Sequence, residues 1–129
     1  MNVALIDKHP VFRAGIRLML KSQFSNINTL ETGSMHSLTQ ANNLGDIDIV
    51  IIGLSEEQPE IDKAVLKRAM EKNPLASFIV YAAKPCVESV RLLMRMGVKG
   101  YLNKNGSPEE LTRCMNAVVA GQPFVYHQA

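Results

Sequence analysis

Three short apolar runs that do not alternate with polar residues constrain the fold more than any other feature of this chain. They are residues 2–6 (NVALI), 48–54 (DIVIIGL) and 77–83 (SFIVYAA). A strand with one face in water alternates apolar and polar residues, whereas a strand covered on both faces is apolar throughout. The runs therefore predict buried strands in a parallel sheet with helices on both sides.

Segments with helical spacing of apolar residues separate these runs. A weaker strand is predicted at residues 27–32 and a fifth at 99–102, with a second helix at 35–43. The last helix is predicted to begin at Ser107 as a capping residue, with Pro108 in the first turn and Glu110 completing a capping box, and to end near Ala120. Five βα units in succession predict an α/β fold with a doubly wound, five-stranded parallel sheet.

Composition excludes several classes of protein. The net charge is +2, from 14 basic and 12 acidic residues, which argues against DNA binding by this segment alone. No apolar run approaches the length of a membrane span, and no export leader is recognised, so we expect a cytoplasmic protein that does not contact membranes. Cys86 and Cys114 are too far apart in sequence for a metal motif, and neither they nor the scattered histidines predict a metal site.

In such sheets, binding sites lie beyond the carboxyl ends of the strands. That rule selects Asp7, Gly53, Ala82 and the residues after Leu102 as the positions that decide function.

The segments ALIDKHPVFRAGIRLML, DIVIIGLS and MGVKGYLNKNGSPEELTRCMNAVVAGQPF resemble the receiver domain of NarL/FixJ-type response regulators. The resemblance covers residues 1–124, which we take as one receiver-like domain, and leaves 125–129 as a tail or the start of a linker. It implies the CheY-like (flavodoxin-like) (βα)5 fold with strand order 2-1-3-4-5, and a role in two-component signal transduction.

The resemblance also shows where this chain departs from a working receiver. Asp7 matches the first of two acidic residues, but Lys8 replaces the second. Gly53 stands where the family has its phosphoacceptor aspartate, and Ala82 stands where it has a serine or threonine. Lys104 matches the family lysine. Tyr101 matches the aromatic residue that turns inward when such domains are activated.

These departures predict that the phosphorylation site is degenerate. Glycine offers no nucleophile, and the change from three carboxylates and one lysine to Asp7, Lys8 and Lys104 opposes a divalent cation. We therefore expect no bound metal, no cofactor and no enzymatic activity. We expect an ion pair between Asp7 and Lys104, with Lys8 competing for the carboxylate. The alternatives are an anion held in the positive pocket, and a displaced acceptor among residues 55–57.

Two basic surfaces are candidate interaction faces. Arg13, Arg17 and Lys21 recur every fourth residue and share one side of the first helix. The second face comprises Arg91, Arg95 and Lys99. Each is either a solvated surface or a docking surface, and the resemblance implies dimerisation through the first and fifth helices or through the fourth helix and fifth strand.

The predicted function is that of an atypical receiver that acts without phosphorylation, through homodimerisation or docking to a protein partner such as a kinase or another regulator. The resemblance places it as the N-terminal regulatory part of a LuxR/NarL-type transcription regulator that binds DNA through a separate helix-turn-helix domain. The alternative is a stand-alone adaptor that binds a kinase or another regulator. A phosphorylated receiver with a displaced acceptor is the third hypothesis.

Overall fold

A computed structural model describes residues 1–40 and 46–126 of the chain. Its elements, in chain order, are β1 (Asn2–Ile6), α1 (Pro10–Gln23), β2 (Asn28–Thr32), α2 (Met35–Gln40), β3 (Ile49–Leu54), α3 (Lys63–Lys72), β4 (Ser77–Ala82), α4 (Val87–Met96), β5 (Gly100–Asn103), α5 (Pro108–Val119) and β6 (Phe124–Val125). The α/β fold is confirmed. Residues 41–43 of the predicted second helix lie outside the described residues, as do residues 127–129 of the predicted tail.

The described strands form one parallel sheet in the order β2-β1-β3-β4-β5-β6. The predicted order of the first five strands is confirmed, but the predicted number of strands is wrong by one. After α5 the chain returns to the sheet, where Phe124 pairs with Gly100 and Val125 with Tyr101. Val125 and Tyr126 therefore pack on the domain beyond its predicted end at residue 124.

Apolar residues cover both faces of the sheet, as the unalternating runs predict. Consecutive residues of β3 point to opposite sides: Val50 and Ile52 join the core beneath α3 and α4, whereas Ile49 and Ile51 join the core beneath α1 and α5. All four residues are at most 2% exposed. The sheet is thus the shared middle layer of two cores, which fixes the relative positions of its strand ends.

Local sequence accounts for some of the helix termini. Asp62 caps α3 by accepting hydrogen bonds from the backbone N–H groups of Ala64 and Val65. Gly97 ends α4 in the left-handed region, with φ of 115°. Helix α5 begins at Pro108 as predicted, but Ser107 makes no side-chain capping hydrogen bond, so the predicted capping box is wrong in that respect. The helices of the described residues are too short or too polar to span a bilayer.

Candidate functional site

The carboxyl ends of four parallel strands converge on one pocket. Asp7 directly follows β1, Gly53 lies near the end of β3, Ala82 ends β4, and Lys104 directly follows β5. The register pairs Ala82 with Leu54 on one side and with Asn103 on the other, which aligns the strand ends. The structure therefore brings Asp7, Gly53 and Lys104 together, and places Ala82 on the strand between those of Gly53 and Lys104.

Asp7 is the buried centre of this pocket, with only 4% of its surface exposed. Its Oδ1 accepts a hydrogen bond of 2.7 Å from the backbone N–H of His9, and the His9 ring nitrogen Nδ1 lies 3.3 Å from the same oxygen. Its Oδ2 accepts a hydrogen bond of 2.7 Å from the Lys104 ammonium. Both carboxylate oxygens are thus already bound within the chain.

Gly53 lies directly against this carboxylate. A Cβ atom at position 53 would lie 1.8 Å from the Asp7 Oδ2 and 2.8 Å from its Cγ. Non-bonded heavy atoms pack best at about 3.5–4.0 Å, so no side chain can begin there while Asp7 holds this position. The carboxylate of Asp7 therefore occupies the space into which a side chain at position 53 would project.

Lys104 has two partners in this arrangement. Besides its ion pair with Asp7, its ammonium lies 4.2 Å from the centroid of the Phe12 ring, a cation–π geometry. Phe12 in turn packs edge-on against Tyr81, with ring centroids 5.3 Å apart. Only 13% of the Lys104 side chain is exposed. The lysine is therefore fixed by a carboxylate and an aromatic ring, and not poised in open solvent.

Lys8 forms its ion pair with Glu57 and not with Asp7, for which it was expected to compete. Its ammonium lies 3.7 Å from a carboxylate oxygen of Glu57, and 42% of its side chain is exposed. The pKa of Glu57 is lowered chiefly by its own backbone N–H, and further by the Ser55 hydroxyl and by Lys8. Ser55 is buried, and its hydroxyl also accepts a hydrogen bond from the backbone N–H of Gln58. These residues form a turn beside the pocket.

The pocket does not fit the Mg2+ ion that receivers of the resembled family use. Magnesium requires several oxygen ligands, usually including carboxylates, whereas the carboxylate oxygens of Asp7 are already held by His9 and Lys104. Lys8 replaces the second acid, and Gly53 supplies no side chain. Among residues 1–40 and 46–126, no cluster of three or more potential metal ligands is present.

Tyr101 lies inside the protein, with 1% of its surface exposed. Burial, with smaller contributions from Cys86 and Tyr126, raises the pKa of Tyr101 to about 12. Its ring centroid lies 6.0 Å from that of Tyr126, which follows β6. The neighbouring strand β4 ends in Ala82, whose side chain carries no hydroxyl. The residue predicted as the switch aromatic is therefore inward in this structure.

The two predicted interaction faces differ in how far their basic residues are already paired within the fold. Arg13 and Arg17 both reach Glu31 of β2: the Arg13 Nε lies 3.4 Å from one carboxylate oxygen, and Arg17 bonds the other. Arg13 also donates to the backbone carbonyl of Asp7. These arginines are therefore partly used within the fold, while Lys21 is exposed. The second face consists of three exposed residues, Arg91, Arg95 and Lys99.

Three residues around the pocket were not found by sequence reasoning: His9, Phe12 and Glu31. His9 could have been recognised as the residue before the first helix, whose backbone N–H is free to bind a carboxylate two residues earlier. Phe12 shares the helical spacing of apolar residues in the first helix, which predicts a place in the core and no contact with the pocket. No sequence signal indicated that Glu31 would pair with the arginines of α1, since that contact depends on how the helix lies across the sheet.

Comparison with known proteins gives a consistent set of relatives. The chain is 27% identical over 121 residues to the nitrate/nitrite response regulator protein NarP of Escherichia coli (strain K12), an alignment that covers 93% of this chain and 55% of NarP. It matches the crystal structure of the non-phosphorylated receiver domain of the stress response regulator RcsB from Escherichia coli, with a TM-score of 0.80, 26% identity and 97% of each chain covered.

A second solved structure is that of the two-component response regulator RcsB in complex with DNA, which matches with a TM-score of 0.81 and 26% identity. That match covers 96% of this chain and 62% of the RcsB chain. The present chain thus spans a little more than half the length of the curated relatives that it matches. No protein-family model matches the sequence.

Proposed function

We propose that this chain, which is similar to the response regulator NarP and to the receiver domain of RcsB, is an atypical receiver that regulates without being phosphorylated. The observation that carries this proposal is the position of Asp7. Its carboxylate fills the space above Gly53, where the resembled family has its acceptor side chain, and is bound by Lys104 at 2.7 Å.

Phosphoryl transfer to a receiver needs a carboxylate nucleophile and a metal ion that neutralises the transferred group. In this pocket, Gly53 lacks a nucleophile, and Asp7, Lys8 and Lys104 together carry a net charge of +1. Asp7 is a poor substitute nucleophile because both of its oxygens accept hydrogen bonds and 3% of its side chain is exposed. Ser55 is buried in a turn. The residues of this pocket therefore do not support the phosphoryl transfer that the resembled family carries out.

The ion pair of Asp7 and Lys104 holds two strand ends together at the place where the resembled family has its acceptor side chain. It links the end of β1 to the end of β5, while Ala82 leaves the neighbouring position free of a hydroxyl group. We infer that Tyr101 stays inward regardless of any phosphoryl group, so that the signalling surface has one fixed conformation. Signal would then come from partner binding or from the amount of protein.

The regulated output is proposed to be transcription. NarP is a nitrate/nitrite response regulator, and one of the matched RcsB structures is a complex with DNA. We propose that the present domain is the regulatory part of such a regulator, that it dimerises or docks to a protein partner, and that DNA is bound by a separate domain. Charge supports this division, since the net charge of +2 gives no dense basic surface for DNA.

Incubation with acetyl phosphate and Mg2+, followed by intact-mass spectrometry, tests the central step. We expect no phosphoryl adduct on this chain, while the RcsB receiver treated in parallel becomes labelled. An adduct that forms on this chain but disappears in a variant at Ser55, Glu56 or Glu57 would establish a displaced acceptor and refute the proposal.

A further inference from the structure

A small pocket adjoins Asp7 and Gly53 at the carboxyl ends of β1 and β3. It has a volume of about 180 Å3 and is lined by residues of the loops that follow β1, β2 and β3. In the sheet, the chain leaves β1 toward β2 and leaves β3 toward β4, so the strand order reverses between β1 and β3. Open α/β sheets bind ligands in the crevice at such a point. The pocket therefore lies where this kind of fold holds small molecules.

The lining of this pocket combines apolar surface with charges of both signs. Met35 and Ile61 are partly buried and pack against the core beneath α3 and α4. Lys8, Glu60 and Asp62 also line the pocket, and all three are exposed. A complementary ligand carries a cationic group, an anionic group and a short apolar part.

The three exposed charged residues retain bonding capacity. Glu60 forms no ion pair or hydrogen bond with another residue of the described ranges. Asp62 caps α3 through its Oδ1, which accepts both capping hydrogen bonds and leaves Oδ2 to other donors. The Lys8 ammonium lies 3.7 Å from Glu57, beyond hydrogen-bond distance, so it can still donate to another carboxylate.

Size and charge together narrow the class of ligand. At roughly 30 Å3 for each water molecule, the volume of about 180 Å3 corresponds to about six waters, which is too small for a nucleotide. The two acidic side chains oppose a phosphate group. A divalent metal is not supported, since the part of the chain that the structure describes brings no three potential ligands together. A free amino acid has the required size and carries both charges.

We propose that this pocket binds a free amino acid with a short aliphatic side chain. Its ammonium group binds Glu60 and Asp62, its carboxylate binds Lys8, and its side chain contacts Met35 and Ile61. The inference rests on the proposed function, because a receiver that is not phosphorylated requires another input, and it adds a small molecule to partner binding as that input.

NMR titration of the whole chain with alanine, valine and leucine in turn tests this proposal. We expect at least one of them to shift the amide signals of Lys8, Ser34 and Ile61, which line the pocket. Isobutylamine and isovalerate are matched ligands, because they keep the side chain of valine but lack its carboxylate or its ammonium group. Each should bind at least about threefold more weakly than the amino acid, as for the loss of a partly exposed ion pair.

Two single substitutions locate the site. Lys8→Gln and Glu60→Gln should each weaken binding of the amino acid by about threefold. Both side chains are exposed and neither caps a helix, so the variants should fold. Glu56→Gln, at an exposed acidic residue of the same loop that does not line the pocket, is the matched control and should bind as the unaltered protein does.

The proposal is overturned if none of the three amino acids shifts these signals at millimolar concentration. It is equally overturned if isobutylamine or isovalerate binds as tightly as the amino acids, or if both substitutions leave binding unchanged. The titrations contain neither Mg2+ nor a phosphoryl donor. Failure of this inference is thus distinguishable from failure of the proposed function, which only a phosphoryl adduct would show.

Discussion

Replacement of Gly53 by alanine is the sharpest test of the pocket geometry, because the structure predicts that an exchange that usually stabilises a strand destabilises this one. A glycine in a strand is ordinarily less stable than alanine by about 0.5–1 kcal/mol, so the exchange should normally stabilise the fold. Here the new methyl group would lie 1.8 Å from the Asp7 Oδ2 and would force the carboxylate away from its present position.

The cost follows from what Asp7 then loses. A hydrogen bond to a charged group contributes about 1.5–3 kcal/mol, and leaving a buried charge without its partner costs about 3–5 kcal/mol. Lys104 keeps its contact with Phe12 and 13% of its side chain is exposed, so the lower part of this range applies. After subtraction of the usual gain, Gly53→Ala should lower the free energy of unfolding by about 2 kcal/mol.

Urea unfolding followed by circular dichroism measures this change. Gly15→Ala is the control, because a Cβ at that position in α1 would contact nothing within 4 Å, and it should raise the free energy of unfolding by about 1 kcal/mol. In an Asp7→Ala background only the contact of the new methyl group with the Cβ of residue 7, at 3.1 Å, remains. Most of the penalty at position 53 should therefore disappear, giving a coupling energy of more than about 1 kcal/mol. If Gly53→Ala is stabilising, or if its cost is the same with and without Asp7, the reasoning about the filled acceptor space is wrong.

Three further predictions concern the rest of the fold. At pH 8, Cys86 should react quickly with a disulfide reagent and Cys114 slowly. Hydrogen bonds with Ser89 lower the pKa of the exposed Cys86 thiol, whereas burial raises the pKa of the Cys114 thiol to about 12. Cys86→Ser should remove the fast phase, and two equally fast thiols would contradict this prediction. The contribution of Tyr101 to stability should be retained below pH 10 and lost as pH rises toward about 12, because the fold favours the neutral form of Tyr101. Urea titrations at pH 8 to 11 measure how the free energy of unfolding falls with pH. Tyr101→Phe should make that fall less steep, and an unchanged pH dependence would exclude Tyr101 as its source. Asp62→Ala should lower the unfolding free energy by about 1 kcal/mol in the same urea assay, and Asp62→Asn by much less, since asparagine still caps α3; equal losses would contradict the capping role.

The fold could be predicted from sequence because the signal is local and repeated. The unalternating runs identify strands covered on both faces, and the helical segments between them leave few topologies. Strand β6 was missed because two residues, Phe124 and Val125, carry no periodicity. Its position depends on the free edge of β5, which is a tertiary feature.

The residues of the site could be predicted from the sequence, but the positions of their side chains could not. The strand-end rule and the family resemblance selected Asp7, Gly53, Ala82 and Lys104, and the structure places them at the ends of adjacent strands. That the carboxylate of Asp7 lies over Gly53 could not be read from either residue, because it depends on the spacing of β1 and β3. In the same way, periodicity placed Arg13 and Arg17 on one side of a helix without indicating the carboxylate that binds them.

The central proposal, that this chain regulates without a phosphoryl group, is tested most directly with beryllofluoride, a mimic of an acyl phosphate. The whole chain is examined by thermal unfolding and sedimentation equilibrium, with and without Mg2+ plus beryllofluoride, beside the RcsB receiver as a positive control. We predict no change in melting temperature or association state for this chain. A rise of several degrees, or a shift between monomer and dimer that requires both Mg2+ and beryllofluoride, would show a functional acceptor pocket and contradict the claim.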